Sequence, residues 1–570
     1  MGKKYKIYLF LIFLGGFFLR VVWIGYGLPQ PGYFSSDEID MVGRTLKIAT
    51  GDLTPSHYNK PAFFNIVSLV CYGTFFSISK IMGFSPDKEN LIRLFIQNPT
   101  VYYAISRMIS VFAGAMILFL VYHIGKRIKN RAMGLIAALL MACCYTSVQF
   151  AHMAKEDALL TFLIYLTLWC SIKAQDTGKG KHLFVCGLCS GLASATKYTG
   201  ILSILFPVLF LLSSWKEKEK IFRKTPGLIL IFSGALIGFC LGMPFFLLHP
   251  LTFVKGVFSS PVFAQIRWKT IWLGGERHFG FVFILKMFRE EFGSLMAVIG
   301  VLSFSGLLSY FFTKKEDEGR LFSHLDWKIL PPILVFISIF LLVLFSSGHL
   351  DYQYILPLSP LWAIMSSLFL ISLYERKKIF LCYAIFSLMI LEPLFHSIKF
   401  DIETLGTDTR IKAAAWMDKN ISPGDKIAFD TDFYYQYHPP IRLSVETIGD
   451  LEERAKEKGG TGTYFRLLEK YQTSGPVHHA RFLPMPTWLE RLKEEESREY
   501  NVEKLKKEGF SWVVISGYYF DRIRSDRQPG WKPIRRFYEE IKPRGKKRAR
   551  FTPKAWHSRG PELIIYKLRD

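Results

Sequence analysis

Cysteine is scarce and confined. Only 8 occur in 570 residues, and all of them (Cys71, Cys143, Cys144, Cys170, Cys186, Cys189, Cys240 and Cys382) fall in apolar segments. The polar C-terminal part has none, which excludes a disulfide framework there. Cys186 and Cys189 have CxxC spacing but no second pair. They read as two buried small hydrophobes rather than a metal or redox site. Acidic residues are also in short supply: 47 Asp and Glu face 72 Lys and Arg, for a formal charge of +25. A nucleic-acid partner is set aside, because the basic residues cluster in short loops between apolar runs. That is the pattern of membrane topology determinants and anionic-lipid contact. No nucleotide-binding glycine loop and no internal repeat is present, and no biased segment beyond a basic run at 541–554.

What the chain has in excess is apolar length. Half of it is hydrophobic, 16% is aromatic, Phe alone occurs 51 times, and the mean hydropathy is +0.21. Runs long enough to cross a bilayer lie near 6–24, 101–125, 132–150, 157–173, 182–198, 200–214, 227–248, 282–312, 329–347, 354–374 and 378–397. The N-terminal run follows Lys3, Lys4 and Lys6 and lacks a small-residue cleavage site, so it reads as an uncleaved first span. The stretch 62–83 carries Asn65 and Gly73 after Pro61 and reads as a helix at the interface. The loops with Lys126–Arg131, Lys173–Lys181, Lys216–Lys224, Lys314–Arg320 and Arg376–Lys378 are basic, while 151–156 and 348–353 are nearly free of positive charge. This places the N-terminus in the cytoplasm and argues against a span at 62–83, which inverts every later loop. About eleven transmembrane helices are expected, over residues 1–399, with a long first external loop at 25–100.

Residues 400–570 change character and are expected outside the membrane as a mixed α/β domain. Thr407 and Asp408 cap a helix through Trp416 and Met417, ended by Asn420–Gly424. Strands are expected at Lys426–Phe429, Trp512–Ser516 and Leu563–Tyr566, with helices over Leu451–Lys458 and Trp488–Lys507. The run 541–554 has two readings, a solvated loop or a contact with anionic headgroups or a glycan, and the first is preferred.

The expected outer face collects the chemistry-bearing residues. They are Asp37 and Glu38; Tyr58 and Lys60 before Pro61; Glu156 and Asp157 at the mouth of a span; Lys197 and Tyr198 in an apolar stretch; and His349, Tyr352, Gln353 and Tyr354 later on. Singly, each has a plain explanation: acids in loops are solvated, Asp157 serves a helix dipole, and Lys197 and Arg107 snorkel. Together, Asp37, Lys60, Asp157 and Lys197 on one membrane face point to an ionic ligand or catalysis. The set offers cations for a lipid phosphate and a base for an acceptor hydroxyl.

In order along the chain, Asp37-Glu38, Tyr58-Asn-Lys60-Pro61, Glu156-Asp157-Ala158, Thr196-Lys197-Tyr198-Thr-Gly200, Tyr354-Ile-Leu-Pro357 and Asp408-Thr-Arg410…Ala415-Trp416 resemble the protein mannosyltransferase and aminoarabinose transferase superfamily, membrane glycosyltransferases of the GT-C class. The resemblance runs over nearly the whole chain. It implies transfer of a sugar, with inversion, from a polyprenyl- or dolichyl-phosphate carrier to a hydroxyl of a protein, lipid or glycan, at the outer face of the plasma (inner) membrane. It implies Asp37 as base or acceptor-positioning carboxylate, supported by Glu38, and Asp157 as the second-loop acid. Lys60 corresponds to a donor-phosphate contact, with Lys197 and Arg107 as further candidates. Tyr58, Tyr198, Tyr354, His349 and Arg267 are weaker substrate-binding candidates. Gln353 departs from the pattern, where relatives carry a basic residue, and His349 or Arg267 is the expected compensation. No metal or cofactor is required by this reading, although Asp37, Glu38 and Asp157 leave a divalent cation open. The alternative is a transporter or flippase of polyprenyl-linked glycans, which shares the apolar bundle but needs neither an external carboxylate pair nor a large external domain.

Overall fold

The computed structural model describes residues 2–29, 36–54, 58, 60–83, 87–213, 221–259, 281–313, 325–346, 351–433, 437–457, 462–473, 475–484, 494–517, 520, 523 and 531–569. The chain divides into two compact units. The first comprises 1–24, 40–74 and 105–398, and the second 25–39, 75–104 and 399–570.

The first unit is helical. Seven described helices are long and apolar enough to cross a membrane, and an eighth span follows if the bent pair Arg131–Cys143 and Tyr145–Ala151 counts as one. Of the apolar runs read as spans from the sequence, several are short or broken. The runs at 182–198 and 329–347 form the 17-residue helices Gly180–Thr196 and Leu330–Ser346. The run at 200–214 opens as a 3₁₀ turn, Tyr198–Ile204, before Leu205–Ser213. Conversely, the helix Phe63–Ile81 is among the seven, although the loop charges favour an interfacial position for it.

Close helix packing is written in glycine. Helix Gly180–Thr196 lies against Ile221–Gly242. A Cβ on Gly187 or Gly191 lands 2.0–2.1 Å from the carbonyl oxygens of Ile231 and Ala235, and one on Gly234 or Gly238 lands 2.3 Å from those of Phe184 and Leu188. Small residues spaced four apart on both helices let the backbones approach, which is how helices associate where lipid offers no hydrophobic contrast. This pairing fixes the helix that ends at Lys197.

The second unit holds a five-stranded sheet: β1 Lys426–Phe429, β2 His479–Phe482, β3 Phe510–Ser516, β4 Gly545–Phe551 and β5 Leu563–Leu568. Their order is β2-β1-β3-β5-β4. β1 is parallel to β2 and β3, whereas β5 is antiparallel to β3 and β4. Apolar clusters cover both faces, one around Met417, Phe429, Phe465 and Trp512, the other around Val513, Ile515, Phe537 and Tyr566. β1, β3 and β5 are the three strands read from the sequence. The expected helix after Thr407 is Thr409–Asn420, with Asp408 as its N-cap accepting from Arg410 N at 2.7 Å. The same Asp408 side chain takes the Arg410 guanidinium (Nε 2.9 Å, Nη2 2.8 Å) and the Tyr26 hydroxyl. This ties residues 25–39 into the unit.

Asp430, at the end of β1, is buried and accepts hydrogen bonds from Ser516 N (2.9 Å) and the Tyr538 hydroxyl (2.8 Å). Burial pushes its carboxyl up from the ordinary 3.8 to about 7, beyond what those two donors offset. The folded chain keeps this proton where the unfolded chain loses it. The contribution to stability is therefore full below the ordinary carboxylate pKa, falls as pH rises, and is gone above about pH 7. Asp430→Asn imitates the protonated form. Hydrogen exchange at β1 and β3 is expected to show the variant more stable than wild type above about pH 8, by up to ~4 kcal/mol, and the two alike near pH 4.

Candidate functional site

The first unit brings four separated stretches of sequence together around Asp157. The span Arg131–Cys143 breaks at Cys144 and resumes as Tyr145–Ala151 with a 62° bend. A break inside a bilayer exposes backbone groups that need partners, and two fully buried charges supply them. Arg20 donates to the carbonyls of Ala142 (3.1 Å) and Met141 (3.2 Å) at the end of the first segment. Glu291 accepts from Ser147 N (3.1 Å) and Oγ (2.6 Å) at the start of the second. Cation at the C-terminal end and anion at the N-terminal end is the arrangement that helix dipoles favour.

The short segment delivers the turn 152–156. The His152 ring bridges the carbonyls of Val148 (2.9 Å) and Val22 (2.8 Å), and Ser110 Oγ donates to the Lys155 carbonyl at 3.0 Å. Glu156 and Asp157 follow, the latter as the first residue of helix Asp157–Thr177. Asp157 is 2% exposed. Its Oδ1 takes Lys197 Nζ at 2.7 Å, and its Oδ2 stands 3.9 Å from Lys155 Nζ. Lys197 itself sits just past the C-terminus of Gly180–Thr196, where a cation is favoured, and its Nζ lies 4.9 Å from the centroid of the Tyr354 ring. Tyr354 belongs to the 3₁₀ turn Tyr352–Leu358, capped by Asp351. That turn is held by the Tyr165 hydroxyl, which donates to the Pro357 carbonyl (2.8 Å) and accepts from Leu361 N (3.1 Å).

Lys155 Nζ also donates to Gln353 Oε1. Lys155 was not among the sequence candidates, and its signal is only its place two residues before Asp157. At this site two buried carboxylate oxygens, Glu156 Oε2 and Asp157 Oδ2, accept no hydrogen bond from the described residues.

A second charged group lies around Lys60. Its Nζ is 3.3 Å from Asp40 Oδ2, and Arg44, 3.9 Å from the same oxygen, donates to the Lys60 carbonyl at 2.7 Å. Asp40 and Arg44 come from helix Ser36–Ala49 and were also missed from sequence. Asn65 fastens that helix by donating to the Met41 carbonyl (2.7 Å) and Thr45 Oγ1 (3.1 Å). The two groups are joined through neighbours: the Tyr198 hydroxyl donates to the Tyr58 carbonyl at 2.7 Å. Both tyrosines pack into an apolar cluster with Phe245 and Phe253.

The structure therefore gathers Tyr58, Lys60, Asp157, Lys197, Tyr198 and Tyr354. Asp37 and Glu38 open helix Ser36–Ala49 and belong to the second unit; Glu38 is fully buried and Asp37 half-buried. Arg107 is fully buried and donates to the Ile24 carbonyl at 2.7 Å, an engagement that anchors the chain following the first helix. Arg267 and His349 lie outside the described residues. Among the described residues, no group of three or more His, Cys, Asp or Glu side chains converges as a metal site.

A family model described as dolichyl-phosphate-mannose-protein mannosyltransferase matches residues 96–246, the stretch that contains Asp157 and Lys197. No curated relative matches the chain. Among solved structures, the apo oligosaccharyltransferase of Archaeoglobus fulgidus superposes with a TM-score of 0.52 at 12% identity, covering 91% of this chain and 71% of that one. ArnT of Cupriavidus metallidurans bound to undecaprenyl phosphate aligns over 99% of this chain and 98% of that one, at 13% identity and a TM-score of 0.47. At 12% identity the superposition on the oligosaccharyltransferase speaks for the fold alone. The family-model match over residues 96–246 agrees with the resemblance read from the motifs.

Proposed function

We propose that this chain is a glycosyltransferase that moves a sugar, with inversion, from a polyprenyl- or dolichyl-phosphate carrier to an acceptor hydroxyl at the outer membrane face. The observation that carries the proposal is a pair of lysines that keep an open side. Lys60 and Lys197 have 21% and 19% of their side chains exposed. Each is held by a carboxylate, in a cluster that also contains Tyr58 and Tyr198. The description of the matching family agrees with a lipid-phosphate donor.

The chemistry follows from the charges. Breaking the bond from sugar to phosphate leaves negative charge on an oxygen that is already part of a phosphate, so the leaving group needs neutralising more than protonating. Lys60 and Lys197 do this at a low-dielectric boundary, where one well-placed cation stabilises the transition state by about 3–4 kcal/mol. Asp157 and Asp40 keep the two ammonium groups charged and aimed. Asp157 Oδ2 and Glu156 Oε2, buried acceptors without a donor among the described residues, are satisfied by sugar hydroxyls. From the sequence resemblance, Asp37 is the carboxylate assigned to the acceptor hydroxyl, and Glu38 supports it.

The test is equilibrium binding of a radiolabelled polyprenyl phosphate to the purified protein. Wild type binds, and Lys60→Gln binds about 10- to 100-fold more weakly, the value of one charge-assisted hydrogen bond. Equal binding by both removes Lys60 from the donor site.

A further inference from the structure

The basic run 541–554 is not a loop. Its central part is strand β4, Gly545–Phe551, and β4 is the last strand of the sheet. Ala549 and Phe551 pack against the apolar cluster on one face of the sheet, while Lys546, Lys547, Arg548 and Arg550 are exposed. Lysines and arginines on an edge strand discourage pairing with another chain, and that alone accounts for some positive charge. It does not account for the way the local acids are distributed. Arg550 pairs with Glu562, and Arg544 pairs with Glu503 (2.8 Å) and Glu540 (3.6 Å). Among the described residues, Lys546, Lys547 and Arg548 make no ion pair. Three adjacent cations thus stand along an open backbone edge with their charge uncompensated.

A second observation says what lies nearby. The turn between β4 and β5 is fastened to the end of helix Ile379–Leu405. The Trp556 backbone N–H donates to Glu403 Oε1 (3.2 Å), Arg559 Nη1 stands 3.7 Å from Glu403 Oε2, and the Arg559 guanidinium lies 4.3 Å from the centroid of the Phe400 ring. Gly406 meets the His557 carbonyl so closely that a Cβ there lands 1.5 Å from its oxygen. This helix is apolar and outward-facing along Leu388, Leu391, Phe395 and Ile398. The helix is among the seven candidate membrane spans, and Glu403 lies in its last turn. The turn bound to Glu403 also carries Trp556, 37% exposed, and Lys554. A tryptophan beside basic residues is the composition of a membrane interface.

We propose that β4 and the β4–β5 turn form a docking surface for anionic phospholipid headgroups, with Lys546, Lys547 and Arg548 taking the phosphates and Trp556 seated in the interface. The positive charge is matched to the one anionic surface that an integral membrane protein always has beside it. The contact stands independently of the proposed transferase activity. It holds the outer edge of the sheet against the bilayer when the leaflet is anionic and releases it when the leaflet is neutral.

Hydrogen–deuterium exchange on the full chain tests this, in nanodiscs of phosphatidylcholine alone and of phosphatidylcholine mixed with phosphatidylglycerol. Three surface cations contribute about five-fold each to association with an anionic bilayer. Amides of residues 545–560 are therefore expected to exchange at least about ten-fold more slowly in the phosphatidylglycerol discs, with the difference removed by high salt. Lys546→Gln/Lys547→Gln/Arg548→Gln loses the difference while β5 amides, 563–568, stay protected. Equal exchange in the two discs overturns the proposal. So does protection that survives in the triple variant, since the contact is then with protein. If the substitutions loosen the sheet, seen as lost protection in β5, the wild-type comparison between discs and its salt dependence decide the matter.

Discussion

Asp157→Asn is expected to lower transfer by two to three orders of magnitude and to destabilise the first unit by about 3–5 kcal/mol. Both effects have one origin. The Asp157 carboxylate is 2% exposed and lies 2.7 Å from Lys197 and 3.9 Å from Lys155, whose side chain is 3% exposed. Neutralising it takes from Lys197 the carboxylate it contacts directly in a low-dielectric site, which costs far more than the pair contributes when intact. The two effects separate in a double variant. Asp157→Asn with Lys197→Met removes anion and cation together, so thermal stability in detergent recovers. Transfer stays lost, because the cation for the leaving phosphate is gone with its support. Recovery of transfer in the double variant assigns the pair to holding helices Asp157–Thr177 and Gly180–Thr196 together and nothing more.

The pairing of Asp157 with Lys197 was legible as two residues on one expected face, though not as a contact. Forty positions separate them, and only the crossing of their helices brings them within 2.7 Å. Lys155, Asp40 and Arg44 were not legible because a charged residue beside an acid reads as ordinary solvated polarity; their burial against Asp157 and Lys60 is a tertiary fact. Arg20 and Glu291 escaped notice because each lies within an apolar run. Their role depends on a helix break at Cys144 that no proline or glycine announces. The same limit shows in the span count. Hydropathy marks apolar length, while the interruptions at Cys144 and Lys197 are set by packing partners elsewhere in the chain. In the second unit, β1, β3 and β5 carry the β-branched and aromatic residues that mark buried strands. β4 is built of lysine and arginine, and as an edge strand it needs apolar residues only at Ala549 and Phe551, so it was read as a loop. β2, His479–Phe482, is a strand on the opposite edge in which the polar His479 and Arg481 interrupt the apolar run that marks β1.

Asp37→Asn is expected to abolish turnover while sparing the donor. A carboxylate is a weak base for a hydroxyl, so proton transfer to it comes late, as the new carbon–oxygen bond forms. General-base assistance of this kind contributes about 10²- to 10⁴-fold. An amide in its place has the same shape and accepts no proton. The lysines assigned to the lipid phosphate, Lys60 and Lys197, are untouched, so the loss falls on kcat and the donor's binding is retained. Asp37 and Glu38 together lie in the first turn of helix Ser36–Ala49. The most direct measurement uses purified protein, radiolabelled polyprenyl-phosphate sugars and a native membrane extract, following label into the acceptor for wild type and Asp37→Asn. The proposed function predicts transfer by wild type, and by the variant at no more than about one hundredth of that rate with donor binding unchanged. Absence of transfer by wild type, with the lipid donor still bound, contradicts it and moves weight to a transporter or flippase of polyprenyl-linked glycans.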